Sequence, residues 1–211
     1  MYNILYLLIN KISQRGDCMN VLTDERMNEI AEKAQKIRTE HGYNSWDFDL
    51  IKYLIEYEGF EIQLQLIDDD TTGLLFVDDK KIIPKTKSHK LIVVNQRLID
   101  DEEFFQKRRF ICAHEYGHYV LHKKDTSKFA RRDTHDKEST EELEAEYFAY
   151  CFLMPENLMR ELFSNEDGIK AIKEKLKMNN ADIVSLLFKV SKKKAYNRLK
   201  DLGMLYYGES V

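Results

Sequence analysis

Apolar positions change their spacing several times along the chain, and each change predicts a different element. In "TDERMNEIAEKAQKIRTEHG" they recur at Met27, Ile30, Ala31, Ala34 and Ile37, behind a Thr23 or Asp24 cap and ahead of Gly42, which predicts a helix. "SWDFDLIKYLIEYEG" repeats the pattern, with Ser45 as cap and Phe48, Ile51, Tyr53, Leu54, Ile55 and Tyr57 broadly on one side, and a second helix is expected to end at Gly59. The period then falls to two. "FEIQLQLI" alternates as a half-buried strand does, and "GLLFVDDKKIIP" with "HKLIVVN" predicts two or three more strands. From residue 101 to about 122 the pattern is helical again, with the acidic run 100–103 in the first turn, where the helix dipole favours it. Another helix is expected from about Ser139 through "EELEAEYFAYCFLM" to Met154, where Pro155 stops it. "ENLMRELF", "GIKAIKEKLKMN", "DIVSLLFKV" and "KKKAYNRLKDLG" predict further helices. The expected fold class is α+β: a small mixed or antiparallel sheet packed on the 101–122 helix, followed by a helical C-terminal region.

Length and composition bound this picture. With 211 residues, 43% of them hydrophobic, the chain can bury a core. The expected division is a dispensable N-terminal extension over 1–22, a main domain over 23–163, and a helical, basic region over 164–211 behind a soft boundary. A net charge of -4 argues against coating nucleic acid or an anionic membrane through bulk charge, so any such role must be local. Cys18, Cys112 and Cys151 are odd in number and lack C-x-x-C spacing, which fits buried thiols in a reducing compartment. "YNILYLLI" is too short to span a bilayer, and no A-x-A cleavage pattern follows it. A cytoplasmic protein without a membrane partner is expected.

The chemistry concentrates in "RRFICAHEYGHYVLH". Residues four apart on a helix differ by about 40° and about 6 Å of rise, so His114 and His118 share a face and can hold one ion. Glu115 lies about 100° around, near enough to take a proton from a metal-bound water, which is the logic of H-E-x-x-H. His122 continues the series but sits about 12 Å along the axis from His114, too far to share an ion with it, and is expected in a supporting, substrate-side or surface role. The longer metzincin pattern fails, because Leu121 and Lys124 stand where it needs Gly and His.

A pentapeptide needs context. Phe110, Ala113, Gly117 and Leu121 form a core-like stripe through the motif, and Gly117 is a poor helix former unless another helix must come close. In "EELEAEYFAYCFLMP", Glu142, Ala145, Glu146 and Ala149 make a small face carrying two carboxylates. Glu142 is the leading third ligand, with Glu141, Glu144 and His135 as alternatives. Glu146, one turn on, can accept the second N–H of a ligating histidine. Glu141 and Glu144 otherwise read as a solvated face.

These two segments resemble the ImmA/IrrE family of zinc metallopeptidases, whose pattern is an H-E-x-G-H helix followed by E-x-x-A-N-x-F-A-x-x-L-L-M-P. "LIVVN" and "VSKKKAYNRLKDLGML" extend the likeness over roughly 44–205. The resemblance implies a zinc peptidase domain over 23–163, with His114, His118 and Glu142 as Zn2+ ligands and Glu115 as catalytic base. It also implies a helix-turn-helix repressor as protein substrate, cleaved or inactivated so that genes of a phage, mobile element or stress response are released. The chain departs from the pattern at Glu146, where the family has Asn or Asp. A further donor to the oxyanion is expected among Tyr116, His122, His135 and Tyr150, and the edge strand "GLLFV" is expected to pair with an extended substrate. Residues 123–137 are expected to form a lid.

A second class of function competes. From residue 169 to 200 ten Lys or Arg face only Glu174 and Asp182, and "DIVSLLFKVSKKKAYNRLKDLG" has the two-helix form of a DNA-binding module. Direct DNA binding, or repressor regulation without cleavage, is the alternative to proteolysis.

Overall fold

The architecture comes from a computed structural model that describes residues 22–78, 80–100, 103–122 and 139–205. Residues 1–21 with Cys18, and the 123–137 segment with His135, lie outside the described residues.

Helix α1, Asp24–Glu40, is capped by the Thr23 side chain, which accepts from the Arg26 amide. The second helix is shorter than the sequence pattern predicts. Helix α2 covers Leu50–Glu56 and is capped by Asp49, not Ser45. The Ser45 carbonyl is instead drawn to the buried Arg38 guanidinium at 2.6 Å. The same guanidinium reaches the Phe152 carbonyl at 2.9 Å, so the chain before α2 is held against the core. Gly59, at φ 73°, takes the left-handed turn from α2 into the sheet.

Three strands follow: β1 Phe60–Gln65, β2 Gly73–Val77 and β3 Lys90–Asn95. Their order is β1-β3-β2, with β1 parallel and β2 antiparallel to β3, so the sheet is mixed. The apolar run of β3 reflects its central place. Ile92 and Val94 join Phe60, Leu75 and Val77 in the main core, while Leu91 and Val93 pack with Ile83 on the other face.

Helix α3, Phe104–His122, lies between the sheet and helix α4, Thr140–Leu153, and α1 packs on α4 in turn. The acidic run expected in the first turn of α3 precedes it, because the helix starts only at Phe104. Ser139 caps α4 through the Glu142 amide, and Pro155 follows its end. Helices α5 Glu156–Ser164, α6 Glu166–Leu176, α7 Asn180–Phe188 and α8 Lys192–Asp201 complete the described chain. One buried cluster includes Ile30, Phe148, Phe188 and Leu199, and so joins residues on both sides of position 164. No helix among the described residues is long and apolar enough to cross a membrane.

The α3–α4 contact is closest at Gly117. A Cβ there would sit 3.0 Å from the Phe148 ring, 3.1 Å from the Ala145 carbonyl oxygen and 3.2 Å from the Ala145 Cα. Two of the three obstacles are backbone and cannot turn aside. Gly117→Ala gains about 1 kcal/mol of helix propensity but loses about 1–3 kcal/mol to overpacking. Net destabilisation in urea unfolding is expected, and a stabilised variant would contradict the close approach.

Candidate metal centre

Helix α3 is buried around most of its girth in mid-course: Cys112, Ala113, Glu115, Tyr116, Gly117 and His118 all lie inside. That placement keeps His114 and His118 on a short, rigid segment facing α4. Because Gly117 and Ala145 let the helices close, Glu142 at the start of α4 reaches both imidazoles. His114 Nε2 lies 3.0 Å from Glu142 Oε2, His118 Nε2 is 3.3 Å from Glu142 Oε1, and the two Nε2 atoms are 3.0 Å apart. A tetrahedral ion with bonds of about 2.1 Å separates its ligands by about 3.4 Å, so the three donors need only a small expansion to surround one. Two imidazole nitrogens and a carboxylate are also a donor set that zinc accepts. Among the described residues this is the one cluster of His, Cys, Asp or Glu that converges in this way.

Electrostatics agree with a site built for a cation. Burial alone lowers the pKa of His114. The Glu142 hydrogen bond and the charges of Glu115, Glu142 and Glu146 outweigh it and hold the group above its usual range. Glu115, 6% exposed, lies beside the start of strand β2, where a Cβ on Gly73 would come within 3.0 Å of its Oε1. The same Cβ would fall closer still to Ile111 Cγ2, at 2.5 Å, so the glycine makes room for two side chains of α3, Ile111 and Glu115.

The remaining sequence candidates separate. Glu146 Oε2 lies 3.8 Å from His114 Nδ1, beyond hydrogen-bond reach, and its other oxygen is held by Lys194 of α8. His122 Nδ1 meets His118 Nδ1 at 3.1 Å. Tyr150 is buried, its ring against Phe110 and its hydroxyl 3.2 Å from the Asn197 amide nitrogen. Tyr116 is turned away toward α2, its hydroxyl donating to Glu58 Oε1 at 2.6 Å and lying 3.0 Å from the Tyr53 hydroxyl. It stiffens the back of the motif helix rather than facing a substrate. His135 lies outside the described residues.

One expectation is overturned. Glu141 is exposed as expected, but Glu144 is buried, at 8% exposure. Arg26 Nε and Nη2 grip its two oxygens at 2.8 and 2.7 Å, and His122 Nε2 lies 2.9 Å away. Helix α1 packs over this part of α4, so the face that spacing marks as solvated is covered. No local spacing signals a partner 118 residues away.

The two described cysteines, Cys112 and Cys151, are free and buried, and burial pushes the Cys112 thiol up to about 12. Neither is a thiolate at neutral pH or a competing ligand.

A model of the Peptidase_M78 family, described as the IrrE N-terminal-like domain, matches residues 56–200, and the chain belongs to that family. Its members are typically metal-dependent. Comparison with curated proteins finds no match. Among solved structures, a Mycobacterium tuberculosis transcriptional regulator is similar at 21% identity and a TM-score of 0.46, over 83% of this chain and 48% of that one. The chain thus spans about half the length of that regulator.

Two outcomes follow from this geometry. Glu142→Gln removes a charged donor from the cluster and is expected to weaken zinc binding by more than the about 100-fold that loss of a supporting residue causes. Chelator competition measures it. Burial alone raises the pKa of Glu58, but hydrogen bonds from Tyr116 and Tyr53 and the Lys90 ammonium outweigh it and hold the group below its ordinary range. Its contribution to stability is then present above an unfolded pKa of about 4.3 and lost as pH falls through the lower folded value. Glu58→Gln should flatten the acid limb of a stability profile in that window, and an unchanged limb would contradict the assignment.

Proposed function

We propose that the chain is a zinc-dependent endopeptidase that cleaves or inactivates a helix-turn-helix repressor, acting as an anti-repressor in a phage, mobile-element or stress-response switch. The observation that carries the peptidase reading is the convergence of His114 Nε2, His118 Nε2 and Glu142 within about hydrogen-bonding distance of one another, one residue from a buried glutamate. The substrate class rests on the family resemblance. Buried cysteines fit action in a reducing cytoplasm.

His114, His118 and Glu142 would hold the ion. Bound there, zinc supplies Lewis-acid chemistry, lowering the pKa of water at the site and polarising the scissile carbonyl. The chain's own part is orientation and proton transfer. Glu115, fixed between α3 and the start of β2, takes the proton of the attacking water and passes it to the leaving amine. The bare Gly73 backbone leaves room for the carboxylate and for the Ile111 side chain beside it.

Strand β2 is an edge of the sheet. The Asn95 amide bonds the Thr72 carbonyl at 2.9 Å, and the Asp78 amide bonds the His89 carbonyl at 2.9 Å. By the alternation of an antiparallel pair, the amides of Gly73, Leu75 and Val77 then point to the open edge. An extended substrate segment that adds to this edge runs past Glu115.

The DNA-binding alternative loses three of its ten basic residues to internal contacts. Lys192 pairs with Asp182 at 2.9 Å, Lys194 with Glu146, and Arg198 is buried against the Met154 carbonyl. These contacts favour α8 as part of the peptidase fold.

The experiment incubates the full chain and zinc with the repressor encoded beside its gene. Discrete fragments are expected, abolished by chelator and by Glu115→Gln while that variant still binds zinc. Gly73→Ala is expected to lower kcat about 100-fold, the scale of a 1 Å misplacement in an active site, with metal content unchanged. Intact repressor that nonetheless leaves its DNA would replace cleavage with the binding reading.

A further inference from the structure

Behind the metal ligands a line of polar contacts runs from α3 to helix α1. His118 Nδ1 meets His122 Nδ1 at 3.1 Å, and His122 Nε2 meets Glu144 Oε2 at 2.9 Å. Glu144 is gripped by Arg26 through two bonds of 2.8 and 2.7 Å, and Arg26 also reaches Glu29 Oε2 at 2.8 Å. His118 is fully buried, and Glu144 nearly so. The last link lies on α1, ahead of the 56–200 segment that the family model matches.

One proton arrangement satisfies every link. If His118 presents a bare Nε2 to an ion, its proton sits on Nδ1 and donates to His122 Nδ1. A neutral His122 that accepts at Nδ1 must carry its own proton on Nε2, where it donates to Glu144. Glu144 stays a carboxylate because Arg26 supplies two charge-assisted donors in the fork geometry that only Arg provides. From Glu144 inward, with His122 neutral, each link selects the tautomer of the next and leaves His118 Nε2 without a proton. The carboxylate in the line, Glu144, is tied at both oxygens. An imidazole whose far nitrogen is fixed in this way is a better ligand, both in orientation and in basicity.

We propose that Arg26, Glu144 and His122 are positioning residues of the metal centre, acting through His118, so that helix α1 is a working part of the site and not a cover for the core. The inference rests on the reading of His114, His118 and Glu142 as metal ligands. It does not depend on what the enzyme cuts. The competing role for the same contacts is purely structural: an ion pair that docks α1 on α4. Lys33 Nζ, which bonds the Val120 carbonyl at 2.8 Å, already ties α1 to the end of α3 by a route that avoids His118.

The test uses the full chain with zinc affinity read by chelator competition, the visible spectrum of the cobalt-substituted protein, and thermal melting of the metal-free form. Arg26→Met and the isosteric Glu144→Gln are each expected to weaken zinc about 10- to 100-fold and to shift the cobalt bands, while the metal-free melt records separately what loss of the buried pair itself costs. In a His122→Ala background, where the line is already cut, Arg26→Met should change zinc affinity by less than about twofold. Affinity and cobalt spectrum that match the wild type in Arg26→Met and Glu144→Gln would overturn the proposal. So would an Arg26→Met effect that persists in full without His122, since that is the mark of a merely structural pair. Lys33→Met serves as the control that loosens α1 without touching the line, and it should leave the cobalt spectrum unaltered. A wild-type chain that binds zinc tightly but cuts no repressor removes the substrate assignment and leaves these measurements decisive. A wild-type chain that takes up no metal overturns the ligand reading and this inference together.

Discussion

At Gly117 the backbones of α3 and α4 come so close that a methyl group would touch the Ala145 carbonyl and Cα at 3.1 and 3.2 Å. The position of Glu142 depends on that approach. The carboxylate begins α4, the histidines sit in mid-α3, and the ligand atoms meet only if the interhelical spacing is set by glycine and alanine rather than by branched side chains. Ala145 and Ala149, both fully buried, keep the spacing small over two turns. The aromatic rings of Tyr53, Tyr116, Phe148 and Phe152 pack beside the same approach, with Phe148 itself against Gly117.

A site assembled this way gathers charge inside the protein, and the surroundings answer that burden at each point. Glu144 and Glu146, two of the carboxylates near the histidines, are paired to Arg26 and Lys194 from opposite ends of the chain. Glu58, behind the motif helix, is held by two tyrosine hydroxyls and Lys90. Breaking such buried pairs leaves an uncompensated charge, which makes these partners sensitive positions even where they touch no ligand. Part of the charge of the basic C-terminal region is spent on the carboxylates of α4 and α7.

Much of this was legible from the residues in order. The alternation in "FEIQLQLI", the unbroken apolar run of "LIVVN" and the 3.6-residue periods elsewhere mark the mixed α+β architecture, because each periodicity reports directly on which faces are covered. Spacing alone brings His114 and His118 together and excludes His122 as a ligand, and the small face of α4 points to Glu142. The start of α2 was not legible, since the buried Arg38 holds the Ser45 carbonyl and only tertiary contact determines that. Glu144 was misread for a related reason. Spacing on one helix tells which residues share a face, but not whether a third helix, here α1, lies across it. Gly73 beside Glu115 is likewise a contact between strand and helix that no single-segment pattern carries.

The central claim is that α3 and α4 close on a cation through two imidazoles and one carboxylate. X-ray absorption at the zinc edge of the zinc-loaded chain tests it most directly. The account predicts two imidazole nitrogens and carboxylate or water oxygens at about 2.0–2.2 Å, with the oxygen shell altered in Glu142→Gln. A shell without imidazole scattering, or one identical in the wild type and Glu142→Gln, would contradict it.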